Sequence, residues 1–219
     1  QSLCALFFCA SISNVMRKRS FMENDREDKG DSEREKFEGV IADLVAAYSS
    51  NQNAEFVKEM VMTIAKLGKE IDDRGDLKLI NKALKELRYA AKTFEPFRNK
   101  RKVVFFGSAR TPSDSEAYRM AERLSMLIVK QGFQVITGGG SGIMEAGNKG
   151  AKRQNSFSLN IRLPFEQQHN PYISGDRKAI TFKYFFNIKL FFLKESDATV
   201  LFPGGFGTID EAFENLTLI

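Results

Sequence analysis

Two adjacent carboxylates, Asp210 and Glu211, follow one residue after the run Pro203-Gly204-Gly205-Phe206-Gly207-Thr208. Upstream, Val200, Leu201 and Phe202 form a short apolar run of the kind a parallel strand buried on both faces requires. The glycines end that strand, and Thr208 is placed to start an amphipathic helix. A strand passing through a glycine-rich turn into a helix start is a phosphate-binding arrangement. Free N–H groups of the first helical turn point outward, glycine lets an anion approach the backbone, and the helix dipole favours negative charge. This reading sets Gly204, Gly205, Phe206, Gly207 and Thr208 around a phosphate, with Asp210 and Glu211 in the first turn of the helix. A plain capping box, Thr208 with Glu211 three residues on, would account for the pair without a ligand. It does not account for the three glycines, which a cap does not need.

The elements that must position this loop are legible from residue 102 onward. Val103 to Phe106 is a short buried strand ended by Gly107-Ser108, and a helix through Ala117, Met120, Ala121, Leu124, Leu127 and Ile128 stops at Gly132. Phe133 to Thr137 is the next strand, followed by Gly138-Gly139-Gly140-Ser141-Gly142 and a helix from Ile143. Ser156 to Ile161 is a third strand, Ala179 to Phe182 a weaker fourth, and a helix over Phe185 to Glu195 leads to the strand at Thr199. Strands alternating with helices predict an α/β fold: a Rossmann-like parallel sheet with helices on both faces. Ligands of such sheets gather beyond the carboxyl ends of the strands. Gly107 and Ser108, Gly139, Gly140 and Gly142, and the loop at 204–208 are therefore predicted to share one edge. None of these turns is a G-x-G-x-x-G, and no acidic residue ends the second strand to hold a ribose, which argues against NAD or FAD. The chain has no G-K-[ST], which excludes a P-loop nucleotidase. Three glycine turns converging on one crevice suit a phosphorylated nucleoside.

Composition narrows the class further. A net charge of +5, from 33 basic and 28 acidic residues, is too mild and too interleaved for a nucleic-acid polymer partner. Cys4 and Cys9 lie together in an N-terminal apolar run with no partner at metal-ligand spacing, so neither a metal nor a disulfide framework is predicted. His169, followed by Asn170-Pro171, reads as a loop residue and not as a catalytic base. Leu3 to Ala10 is too short to span a membrane and no basic residue precedes it, so no membrane partner and a cytoplasmic setting are expected. The chain opens on glutamine and stops at Leu218-Ile219 inside a helical pattern, so the last part of the sheet is expected to be missing.

Residues 17–36 carry seven basic and seven acidic side chains and read as a linker or a frayed helix start. Three helical stripes follow: Phe37, Ile41, Leu44, Val45 and Tyr48; then Phe56, Met60, Ile64, Leu67 and Ile71, after Ser49-Ser50-Asn51; then Leu77, Ile80, Leu84, Leu87 and Ala91, capped by Asp76. The predicted organisation is an N-terminal segment over 1–36, a helical extension over 37–98, and a nucleotide-binding domain over 99–219. The stripes have the character of packing surfaces, not of a cofactor box, and no cofactor is predicted.

The paired stretches P-G-G-F-G-T-I-D-E at 203–211 and T-G-G-G-S-G-I-M-E-A-G-N-K-G-A at 137–151 resemble the motifs of the LONELY GUY family. These are cytokinin-activating phosphoribohydrolases, many of them long labelled lysine decarboxylases. The stretches F-G-S-A-R-T-P and N-I-R-L-P-F-E-Q, with the preceding helix, resemble a longer bacterial branch that is AMP nucleosidase-like. The resemblance implies hydrolysis of the N-glycosidic bond of a nucleoside 5′-monophosphate, AMP or an N6-substituted AMP, by a cytoplasmic homodimer. It implies Glu211 as the catalytic glutamate with Asp210 beside it, Gly205, Gly207 and Thr208 as the phosphate loop, and Gly139, Gly140, Gly142 and Met144 as the first binding motif. Such hydrolysis passes through an oxocarbenium-like transition state, which a carboxylate near the anomeric carbon stabilises. Decarboxylation of lysine does not fit, because no motif signals a pyridoxal phosphate site.

The chain departs from the family at one position. F-F-N-I-K-L puts Ile188 where the resemblance implies a catalytic arginine, and Lys189 at its lysine partner. An arginine lost from the transition state costs about a thousandfold in rate. Lys189 stands roughly 100° away round the helix, which leaves Arg162 and Lys183 as further candidate cations. Two expectations follow: an N-glycosidase, or a nucleotide-binding sensor or carrier without catalysis.

Overall fold

The computed structural model describes residues 27–48, 52–162 and 169–218. Cys4, Cys9, the run Leu3 to Ala10, Ser49-Ser50-Asn51 and the Leu163 to Gln167 part of the resemblance lie outside the described residues. The chain divides into two compact units, residues 1–72 and 73–219.

In the first unit, helix α1 (Glu27–Tyr48) begins within the mixed-charge stretch and packs on α2 (Ala54–Glu70), burying Ile41 and Val45. The stripe predicted on α2 does not become core: Phe56, Met60 and Ile64 all stay exposed.

The second unit begins at Asp73, which caps α3 (Arg74–Phe94) by accepting a 2.8 Å hydrogen bond from the Asp76 amide. The cap is thus Asp73, one turn ahead of the predicted Asp76, and the division falls at the start of α3 instead of near residue 98. The physical reason is the face α3 buries. Ala83, Glu86, Ala90 and Phe94 are enclosed and Leu87 packs beside them, while Leu84 and Ala91 are exposed. Ala90 joins the core on this face, and Phe94 stacks on Phe157 with ring centroids 4.6 Å apart.

The sheet comprises β1 (Lys102–Phe106), β2 (Gln134–Thr137), β3 (Ser156–Ile161), β4 (Ala179–Phe182) and β5 (Ala198–Leu201). All pairs are parallel in the order β4-β3-β2-β1-β5. Crossovers run through α4 (Glu116–Lys130), α5 (Ile143–Ala151) and α6 (Phe185–Glu195), and α7 (Phe206–Leu218) follows β5. The period-2 alternation of β1 supplies both faces. Val103 and Phe105 join the core under α4 and α5, while Val104 and Phe106 join the one under α3 and α6. The Rossmann-like α/β architecture is the one the sequence predicts. The strand at 198–201 differs: it lies at the edge among the described residues, and Leu201 is half exposed where burial on both faces was predicted.

The loops after β2, β1 and β5 are tied in series. Ser141 Oγ donates to the Ala109 carbonyl (2.7 Å), the Ile143 amide to the Ser108 carbonyl (3.1 Å), and the Ser108 amide to the Pro203 carbonyl (3.1 Å). Gly142, at φ +63, abuts the Ser108 and Ala109 backbone so closely that any side chain would collide with it. Gly142→Ala is therefore expected to destabilise the fold by about 1–3 kcal/mol. Chemical denaturation measures this directly; an unchanged midpoint would mean that the two loops are not in the register described.

Candidate functional site

A cleft of about 480 Å³ opens beyond the carboxyl ends of β1 and β5. This is where the strand order reverses, since β2, β3 and β4 lie to one side of β1 and β5 to the other. The β1 loop contributes Gly107, Ser108, Ala109 and Arg110, and the start of α7 contributes Gly205, Phe206, Gly207 and Thr208. Asp210 and Glu211 follow on α7, facing Met144 of α5 and Ile188 and Lys189 of α6.

The start of α7 differs from the sequence expectation. The helix begins at Phe206, and its first bond runs from the Ile209 amide to the Gly205 carbonyl (3.1 Å). Thr208 is consequently inside the helix, Asp210 and Glu211 lie in its second turn, and no Thr208–Glu211 capping box forms. The amides of Phe206, Gly207 and Thr208 precede the first helical bond and remain available to an anion. Gly204 does not line the cleft. It sits against the Thr208 side chain, which leaves no room for a Cβ.

The first glycine motif divides between wall and scaffold. Gly138 and Met144 line the cleft, whereas Gly139, Gly140 and Gly142 lie outside its lining. The carbonyls of Gly139 and Gly140 accept from the buried Asn170 amide nitrogen at 3.2 and 3.1 Å. Asn170 also donates to Asn148 Oδ1 (2.8 Å), which accepts from Thr137 Oγ1 (2.8 Å). This closed polar network holds the turn from beneath. His169 joins a second scaffold: its Nδ1 is 2.7 Å from Ser158 Oγ and its Nε2 is 3.1 Å from Thr181 Oγ1. It does not line the cleft, and burial favours its neutral form.

Glu211 is half-buried, and among the described residues its carboxylate makes no hydrogen bond or ion pair. Loss of solvent, together with the charges of Asp210 and Glu214 and against that of Lys189, pushes its pKa from 4.5 to about 7. Much of the remaining lining is apolar, with Leu159, Ile161, Phe185, Ile188 and Phe192, and Asn160 is the polar residue among them. Lys189 is fully engaged, its Nζ 2.9 Å from both Asp210 Oδ2 and Glu214 Oε2. These two carboxylates raise the pKa of Lys189 and clamp α7 to α6 on either side of Glu211.

Of the other predicted cations, Arg162 and Lys183 are exposed and do not line the cleft. The Arg162 amide bonds the Phe182 carbonyl (2.7 Å), and the Lys183 amide bonds Glu86 Oε1 (2.9 Å). Sequence reasoning missed Arg110 and most of the apolar wall. The only signal for Arg110 was its place three residues past Gly107 in F-G-S-A-R-T-P. Among the described residues, no group of three or more His, Cys, Asp or Glu side chains could hold a metal, and no helix is long and apolar enough to cross a membrane.

Compared with known proteins, residues 100–217 match the profile of the SLOG cluster4 family. An uncharacterized protein of Archaeoglobus fulgidus is 36% identical over 98 residues, which cover 45% of this chain and 63% of that relative's length. Among solved structures, TM1055 is 27% identical at a TM-score of 0.42, over 54% of this chain and 69% of that one. The molybdenum cofactor carrier protein of Chlamydomonas reinhardtii is 24% identical at a TM-score of 0.40, over 55% and 72%. A molybdenum cofactor binding protein of Rippkaea orientalis is 26% identical at a TM-score of 0.40, over the same shares.

Glu211 also links the site to stability. Its folded pKa lies above the ordinary value, so its contribution is complete below pH 4.5 and is lost as pH rises through about 7. Glu211→Gln, neutral throughout, is expected to leave stability near pH 4 unchanged. Near pH 8 it should raise stability by on the order of 1 kcal/mol after solvent screening. Urea midpoints at the two pH values test this; equal shifts at both would contradict the raised pKa.

Proposed function

This chain belongs to the SLOG cluster4 family, and from that premise we propose that it binds a nucleoside 5′-monophosphate and hydrolyses its N-glycosidic bond. AMP or an N6-substituted AMP is the substrate, and free base and ribose 5-phosphate are the products. The narrower kinship with the LONELY GUY phosphoribohydrolases, the homodimer and the cytoplasmic setting are parts of the same proposal. The observation that carries it is Glu211, a half-buried carboxylate without a hydrogen-bond or ion-pair partner among the described residues, on the wall of a cleft that also holds the start of a helix.

In this reading the 5′-phosphate meets the first amides of α7, and the base lies along Met144, Leu159, Ile161 and Phe185. The C1′–N bond breaks as positive charge grows on the ribose. Ionised Glu211 stabilises that charge and accepts a proton from the water that adds to C1′, while the base leaves with the bonding electron pair and takes a proton from solvent water, to which Glu211 returns its own. A desolvated carboxylate suits this task, since its field acts through low dielectric and its pKa lies near the working pH.

A second reading has its own observation. Ile188 carries no charge where the resemblance implies an arginine, and Lys189 is held by two carboxylates. That arrangement favours a nucleotide-binding protein without turnover. Incubation with AMP separates the two, since free base appears only in the first.

Hydrolysis is expected to rise with pH through about 7 as Glu211 ionises, read as kcat/KM, which reports the free enzyme. A flat profile between about pH 6 and 8 would remove Glu211 as the base. Glu211→Gln should lower kcat by about 10²- to 10⁴-fold with AMP affinity retained. Turnover at the unaltered rate in that variant would overturn the role.

A further inference from the structure

The charged side chains lining the cleft are Arg110, Lys189, Asp210 and Glu211. Lys189 is spent on Asp210 and Glu214, each at 2.9 Å, so that group carries one positive charge against two negative ones. Glu211 adds negative charge as it ionises near pH 7. A phosphate dianion at the start of α7 would therefore meet a net negative set of side chains, offset only by the helix dipole, which amounts to about half a charge. Arg110 stands apart from this balance. Its side chain is exposed and, among the described residues, makes no ion pair or hydrogen bond.

The backbone that carries Arg110 is fixed although its side chain bonds to no other among the described residues. The Arg110 amide donates to Ser108 Oγ (3.1 Å), and the Ser108 amide to the Pro203 carbonyl (3.1 Å), next to the loop that opens α7. From the other side, Ser141 Oγ holds the Ala109 carbonyl (2.7 Å). A guanidinium is thus mounted on a braced loop at the cleft wall that also holds Gly205, Phe206, Gly207 and Thr208.

We infer that Arg110 is the phosphate-recognising residue of this cleft, supplying from the loop after β1 the positive charge that Ile188 cannot supply from α6. The inference rests on the nucleotide reading above and deepens it. Its guanidinium pairs with the phosphate oxygens, so that the cleft prefers a nucleoside monophosphate to the corresponding nucleoside.

Isothermal titration of the protein, Arg110→Gln and Arg110→Lys with AMP and with adenosine tests the inference. Since the Arg110 side chain is exposed and, among the described residues, makes no hydrogen bond or ion pair, the glutamine variant keeps the fold, which its unfolding midpoint verifies. The unsubstituted protein should bind AMP more tightly than adenosine, with an affinity that falls as salt is added. Arg110→Gln should lose about 10- to 100-fold for AMP with adenosine unaffected, and Arg110→Lys should recover part of the loss. If Arg110→Gln binds AMP as the unsubstituted protein does, the assignment of Arg110 is overturned and the nucleotide reading stands. Equal losses for AMP and adenosine would also overturn it. If the unsubstituted protein binds no AMP, the nucleotide reading fails and Arg110 with it.

Discussion

The site depends on backbone touching backbone. Gly142 packs against the carbonyl of Ser108, whose own amide reaches the carbonyl of Pro203, so three loops that follow different strands move as one body. Only glycine fits such a contact, because a Cβ at position 142 would occupy the space of the Ser108 and Ala109 backbone. The parallel order places these loops side by side, and the reversal at β1 opens a crevice between them in place of another crossover helix. The cleft is thus a product of sheet topology, and the loops on its β1 side are joined by main-chain bonds with Ser141 Oγ added to them.

That rigidity is what gives the chemistry of α7 its meaning. A carboxylate held half out of water keeps its proton longer, and Glu211 is held there by a helix that ion pairs tie to α6. Lys189 grips Asp210 one residue before it and Glu214 three residues after it. The same ion pairs that anchor the helix also cancel the lysine's charge, so the positioning of Glu211 is achieved at the expense of a free cation.

Much of the sheet was legible because buried parallel strands are short apolar runs stopped by glycine, a pattern that few other structures share. The bounds of β3, β4 and α6 coincide with those read from the residues. Helix faces were harder. On α3 the buried face runs through Ala83, Glu86, Ala90 and Phe94 while Leu84 stays exposed, a face that leucine positions alone do not mark. The start of α7 was misplaced because Thr208 has the chemistry of a cap, yet the glycines let the helix begin at Phe206. Within the site, the loop at 205–208 and Glu211 were visible as a motif. The supporting role of Gly139 and Gly140 was not, because it depends on Asn170, which is 30 or more residues away in the chain. Arg110 was one of 33 basic residues, and only the fold brings it to the cleft.

Ile188 ties these threads together. It belongs to the core with Phe191 and Phe192 and also faces the cleft, so one side chain sets both packing and local dielectric. A cation at that position would stabilise ionised Glu211 and draw its pKa down toward the ordinary carboxylate range. An aliphatic side chain does the reverse, withholding water and charge together, and the pKa rises to about 7. Ile188 therefore bears on more than packing, since it lines the same cleft as a carboxylate that titrates near neutrality. It brings no positive charge to the cleft, where Lys189 is already paired with Asp210 and Glu214. A positive charge on the loop after β1 is far enough along the chain to vary independently of α6, yet the backbone ties bring it to the same crevice.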